Sequence, residues 1–269
     1  MHPLYGARAK LARAAESLLA LERDATSYLS GTPPPIRLEM ERRDGGRELS
    51  FVAYGEPQPP LRFSVITGEI IHHLRSSLDH VIHSLLVHRG VKPTIHHQFP
   101  ICTTEKAFKE AINRTRIKGV GPTAKKKIQS VQPFTTPHPD DTVLHVVSEY
   151  NNIDKHRLLV VLGAVADIGR EITIGTDQAI AESPERKGKG VNIVGFGEIG
   201  PKKVTREGIV VFSIRTAEAA PELTAEALLM PQLVLEKCGR VKLAPLGSTL
   251  RGIVAGVRNT VELFADEFS

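Results

Sequence analysis

Residues 64–88, SVITGEIIHHLRSSLDHVIHSLLVH, decide how this chain reads. Ile70, Leu74, Leu78, Val81, Ile82 and Leu85 recur at intervals of three and four. An apolar stripe of that period predicts one long amphipathic helix, and Gly90 and Pro93 close it. At about 100° per residue the polar positions sort into flanks. Arg75 and Asp79, four apart, share one flank and can form an ion pair. His73, Ser77, His80 and Ser84 line the other, while His72, Ser76, Asp79 and His83 face away from the core. An ordinary packed helix does not need so many imidazoles, so this face is expected to meet something.

Outward from that helix the chain divides by texture. Residues 6–29 form an amphipathic helix that ends at Ser30-Gly31-Thr32-Pro33-Pro34-Pro35. Ile36–Arg42 and Glu48–Tyr54 are β-like, and Asp44-Gly45-Gly46 between them signals a hairpin. Glu105–Asn113 and Thr123–Val131 read as short helices, and 140–157 as a longer one capped by Asp140 or Asp141. From Leu158 to residue 240, β-branched and leucine-rich runs are separated by turns such as Ser183–Gly190 and Gly195–Lys203, the pattern of an antiparallel meander. Residues 248–268 read as a closing helix. The expected fold class is α+β, with segregated elements: a helical core of 64–157 with the N- and C-terminal helices, a β-meander in 158–240 and a short N-terminal hairpin. We expect one α+β domain over 1–269, helical in 1–157 and β-rich in 158–240.

A second charged stretch, Glu149-Tyr150-Asn151-Asn152-Ile153-Asp154-Lys155-His156-Arg157, ends the 140–157 helix. Val143, Val146, Val147, Tyr150 and Ile153 make its apolar stripe. Asp154 and Arg157 project onto that stripe, three apart, and a charge there has to be paired. The opposite side carries His145, Glu149, Asn152 and His156, groups suited to proton transfer, ligation or orientation. His145, Glu149 and His156 form an alternative metal set.

Arg75 and His80 spell R-x-x-x-x-H on a helix, which resembles the signature of the HEPN superfamily of helical proteins. That resemblance implies a metal-independent endoribonuclease, usually dimeric. Arg75 would hold the phosphate and His80 would move the proton. It also implies RNA or another polyanion as partner, a homodimer, and no cofactor. The HEPN pattern usually carries an amide or acid where this chain has Ser76. On an ideal helix Arg75 and His80 diverge by about 140°, so convergence needs a distorted helix, a long Arg reach or a second protomer. The combination of Arg75–His80, Phe99-Pro100-Ile101, Gln132-Pro133-Phe134 and Asn151–Arg157, in that order, is similar to an uncharacterised bacterial family. It joins the two motif helices into one constellation. On these resemblances Arg75, His80 and His156 are the catalytic candidates, supported by Asp79, Glu149, Asn152, Asp154, Lys155 and Arg157. The alternative is a non-catalytic binding or scaffold protein in which Asp79, Asp154, Lys155 and Arg157 form a buried polar network.

Composition narrows the field. The chain has 269 residues, 41% hydrophobic and 24% charged, a globular balance. A net charge of +5 permits a polyanionic partner without demanding one. The segment Ile117–Ile128 resembles a helix-hairpin-helix backbone motif, whose glycine turn and helix start hold a phosphate. That makes Lys118, Lys125, Lys126 and Lys127 nucleic-acid-binding candidates. Gly195–Gly200 spells G-x-G-x-x-G, but Pro201-Lys202-Lys203 follows where a dinucleotide site needs a helix. Two lone cysteines, Cys102 and Cys238, fit a reducing compartment. No leader pattern or run of about 18 apolar residues is present, so the expected location is cytoplasmic, away from membranes.

Overall fold

The computed structural model describes residues 2–113, 116–157, 159, 161–185, 187, 190–197, 202–238 and 241–268. Its elements in chain order are α1 (Tyr5–Leu29), β1 (Arg37–Arg43), β2 (Glu48–Tyr54), α2 (Leu61–His88), α3 (Glu105–Asn113), α4 (Pro122–Ser130), α5 (Val143–His156), β3 (Val161–Thr176), the short α6 (Gln178–Ala181), β4 (Ile193–Phe196), β5 (Lys202–Lys203), β6 (Ile209–Thr216), β7 (Leu223–Cys238), β8 (Val241–Pro245) and α7 (Leu246–Glu262). The fold is α+β. The chain divides into two compact units, one of residues 1–25, 60–161 and 235–269, the other of 26–59 and 162–234.

In the first unit α2 is the central helix. Its predicted stripe of Ile70, Leu74, Leu78, Val81, Ile82 and Leu85 is buried throughout, and each such side chain contributes about 1.5–3 kcal/mol by leaving water. α2 packs against α5 and α7, which also pack on each other. Phe99, on the extended stretch after α2, meets Phe264 edge to face with ring centroids 6.2 Å apart. Both rings are fully buried.

α5 begins later than the sequence suggests. Pro139–Asp141 forms a 3-10 turn, and Thr142, extended at φ −74° and ψ 144°, is the cap. Its hydroxyl accepts from the His145 N–H at 3.4 Å and donates to the Pro139 carbonyl at 2.7 Å. Asp140 and Asp141 therefore lie outside the helix. At the other end Arg157 leaves the helix with φ −158° and ψ 156°. A helical projection no longer applies to it.

In the second unit the hairpin forms as expected. Asp44, Gly45 and Gly46 take φ of 50°, 62° and 87°, a left-handed run that glycine adopts without steric cost. It sets Arg43 opposite Glu48. β2 is buried on both faces, with Leu49, Phe51 and Ala53 alternating with Ser50 and Val52. It therefore needs a neighbour on each edge, and it pairs antiparallel with β6 as well as with β1. The strands form two four-stranded sheets, in the orders β1-β2-β6-β4 and β5-β3-β7-β8. The strands expected as a meander over 158–240 thus alternate between two sheets, and the N-terminal hairpin is the edge of one. Gly195 and Phe196 end β4. Glu198, Ile199 and Gly200 of the G-x-G-x-x-G string, Arg186 and Lys189 of the Ser183–Gly190 turn, and the Cys238 side chain lie outside the described residues. Among the described residues no helix is long and apolar enough to cross a membrane.

Candidate functional site

Arg75 and Asp79 do form the ion pair that their spacing implies, with Nη1 2.9 Å from Oδ1. The pair is not a surface pair. The Arg75 side chain is 15% exposed and the Asp79 side chain 35%. Nη1 is close to the carboxylate but not aligned for a hydrogen bond. Nη2 instead donates to the Phe99 carbonyl at 2.8 Å, while the Phe99 N–H donates to Asp79 Oδ1 at 2.9 Å. Both polar groups of one backbone residue are thus held by two side chains a helical turn apart. Burial pushes the Asp79 carboxyl above the usual range against the pull of Arg75 and the Phe99 N–H. Burial likewise lowers Arg75, with Asp79 opposing.

Gln132, fully buried, holds the same stretch from the other side. Its Oε1 accepts from the Cys102 N–H at 3.0 Å. Its Nε2 donates to the carbonyls of Pro100 at 2.9 Å and Ile128 at 3.0 Å. Three of the four motif segments, Arg75–His80, Phe99–Ile101 and Gln132–Phe134, are therefore one backbone clamp on residues 99–102.

His80 does not join Arg75. It packs against α1, where a Cβ on Gly6 would come within 2.8 Å of its Nδ1. Burial lowers its pKa, with Lys10 and His83 adding and Asp79 opposing. Farther along the same flank the Ser84 hydroxyl donates to the Pro3 carbonyl at 2.8 Å. The histidine flank of α2 meets something, as expected, and that something is the chain's own N-terminal segment. Arg75 reaches Phe99 and His80 reaches Gly6, so the divergence of an ideal helix is retained.

The open polar surface lies on α5. His145, Ser148, Glu149, Asn152, Ile153, His156 and Arg157 line a groove of about 520 Å³. His145 and Ser148 also line a second depression of about 380 Å³ that runs on to Cys102, Glu110 and Arg116. Asn152, Lys155, His156 and Arg157 are exposed. His145 Nε2 stands 3.7 Å from Asp140 and 3.9 Å from Glu149. Among the described residues no three His, Cys, Asp or Glu side chains come together as a metal site, so the alternative set of His145, Glu149 and His156 does not close. The Cys102 thiol is raised by burial, against Arg116.

Asp154 is elsewhere. Because Arg157 has left the helix, the expected Asp154–Arg157 pair does not form among the described ion pairs. The Asp154 carboxylate rests on α2 at Gly68, where any Cβ would overlap it. Of the lysine candidates, Lys118 and Lys126 are exposed and Lys125 half-buried. Lys127 is engaged by Asp266 and by Glu267, the latter at 2.8 Å, with its side chain 18% exposed. That correction removes Lys127 from a phosphate-gripping role. Sequence spacing missed Gln132 as a clamp residue and Arg116 as a groove residue. Both depend on which loop folds over which helix, which no local period encodes.

Compared with protein-family models, with curated proteins and with solved structures, the chain matches none.

Proposed function

We propose that the helical unit is a binding module for an anionic chain, RNA phosphates foremost, along the α5 groove, and that Arg75 and His80 do not act as a nuclease pair. The observation that carries this reading is the use of Arg75. A phosphate-holding guanidinium must face its ligand, and this one is occupied with the Phe99 carbonyl and Asp79. The remaining donors collect on the α5 face: His145, Asn152, His156 and Arg157, with Arg116 at the far end. Arginine and histidine beside an amide are suited to phosphate oxygens. The net charge of +5 favours such an encounter at long range.

Fluorescence anisotropy with labelled single-stranded and hairpin RNAs between 50 and 200 mM salt tests it. Binding should saturate, and log K should fall with log salt by about 0.7 for each single-strand phosphate neutralised. Arg157→Ala should weaken binding several-fold and lower that slope by about one contact. Arg75→Ala, refolded and checked by circular dichroism, should leave the slope unchanged. Absence of binding at low salt, or wild-type binding by Arg157→Ala together with His156→Ala, overturns the proposal. Cleavage of the RNA in EDTA that disappears with His80→Ala would restore the nuclease reading.

A further inference from the structure

The first half of α1 has a slight apolar hold on its unit. Its buried positions are Ala7, Leu11, Ala14 and Leu18, and the two alanines bury little area. What it meets on α2 is the histidine flank. The His80 ring lies on the α1 backbone, where a Cβ on Gly6 would come within 2.8 Å of Nδ1. His73, seven residues earlier, stands two turns away on the same side of α2. Its Nδ1 atom is buried and has no hydrogen-bond partner.

The charges that bear on these two rings are mostly positive. From α1, Lys10 acts on both rings and Arg13 on His73. From α2 itself, His72 flanks His73 and His83 flanks His80, with ring centroids 6.1 and 6.5 Å apart. The carboxylates nearby are directed elsewhere. Asp79 is held by Arg75 and the Phe99 N–H. Glu69, one turn before His73, is exposed. Asp154 of α5 shares a depression with His72 and His73, but it rests on Gly68 and acts with His72. A neutral His73 can leave the Nδ1 lone pair unpaired. An imidazolium would put a buried N–H there with no acceptor, beside two cations of α1. At His80 it would put a charge against the α1 backbone, beside Lys10 and His83.

We propose that the α1–α2 seam is an acid-operated latch: uncharged His73 and His80 let α1 dock at neutral pH, and their protonation releases its first half, residues 5–18, from α2. The direction of titration agrees. Burial lowers His73, with Lys10, His72 and Arg13 adding and Glu69 opposing. Burial likewise lowers His80, with Lys10 and His83 adding and Asp79 opposing. A histidine whose folded pKa is lowered contributes stability that is present above its unfolded value, ordinarily 6.5, and lost as pH falls toward the folded one. The window of release therefore lies below 6.5. Another tie at this end of α1, Arg8 to Glu262 at 2.9 Å, does not set that window, because the Arg8 hydrogen bond holds the Glu262 carboxyl below the usual range. Both partners are about two-fifths exposed, so the pair holds α1 only weakly.

Hydrogen exchange of the full chain is followed by mass spectrometry at about pH 7.5 and about pH 5, each rate divided by its intrinsic value at that pH. Protection of residues 5–18 should fall about tenfold or more, while that of α5 changes less than about twofold. His73→Leu together with His80→Gln should abolish the difference between the two pH values. Lys10→Met keeps both rings and removes a cation that acts on each, so it should reduce the loss, and it is readable even if the double variant misfolds. The His73 and His80 ring resonances should titrate below 6.5. Equal protection of residues 5–18 at the two pH values, the wild-type loss in both variants, or a parallel loss in α5, which would mean acid unfolding of the whole unit, overturns the proposal. None of these outcomes depends on whether RNA binds along α5.

Discussion

Replacing Asp79 by alanine removes the centre of the backbone clamp. The Phe99 N–H loses its acceptor, and an unsatisfied buried donor costs about 1–3 kcal/mol. Arg75, 15% exposed, loses its counter-ion. Breaking a fully buried ion pair costs about 3–5 kcal/mol, but Asp79 is 35% exposed, so water takes over part of that role and the lower end applies. The two effects overlap, because the freed Arg75 still holds the Phe99 carbonyl. Together they come to about 2–4 kcal/mol. The chain has no Trp, so the readout is urea denaturation followed by far-ultraviolet circular dichroism of the helices. The midpoint should fall with little change in slope.

The sharper measurement is the double-mutant cycle with Arg75→Met. Burial acts against both charges, so removing the second partner should add little to removing the first, a coupling of about 1–3 kcal/mol. Strict additivity of Arg75→Met and Asp79→Ala, or a loss below about 0.5 kcal/mol for Asp79→Ala, refutes the clamp. The nuclease reading expects the contrary pattern, with stability intact and activity lost.

Gln132→Leu strands the Cys102 N–H and the Pro100 carbonyl; a loss of about 2–4 kcal/mol is expected by the same denaturation, and a change under about 1 kcal/mol would count against Gln132 as a clamp. Asp154→Asn should be as stable as wild type or more stable at pH 7. A carboxyl whose folded pKa is raised contributes stability that is present below its unfolded value, ordinarily 3.8, and lost as pH rises through the folded one. The variant's advantage should therefore vanish in acid, and a melting temperature lower than wild type at pH 7 would show that the carboxylate has a partner. Thr142→Ala removes the α5 cap and should cost about 1 kcal/mol, whereas Asp140→Ala and Asp141→Ala should each cost less; the reverse order would place the cap where the sequence first puts it.

The legible part of this chain was what repeats locally. The three-and-four spacing of Leu74, Leu78, Val81 and Leu85 specified α2 and its buried face, and Asp44-Gly45-Gly46 specified the hairpin, because each depends only on residues within a turn or two. The Arg75–Asp79 spacing gave the ion pair correctly. It could not give its burial, since that arises from the Phe99 stretch twenty residues on. The α5 projection failed at its last member. Arg157 sits one residue past the helix, and a boundary error of a single residue turns a core-facing cation into a solvent-facing one and leaves Asp154 alone. Strand pairing was the least legible. β2 is buried on both faces and looks in sequence like any apolar run, and nothing local says that its second neighbour is β6, more than 150 residues away.

These corrections move the chemistry without emptying the motifs. A helix can present a charged side chain for two reasons: to complete the backbone of its neighbours or to meet a ligand. Arg75, Asp79 and Gln132 belong to the first kind, because each of their partners is a main-chain or side-chain atom of the same unit. Asn152, His156 and Arg157 are of the second kind by position, at and beyond the end of α5, where the helix has left its packing partners. Asp154 is the instructive case. It is half-buried against a glycine that makes room for it, with no hydrogen bond or ion pair among the described residues. A fold that only needed to fill that space would do so more cheaply with an asparagine or an apolar side chain.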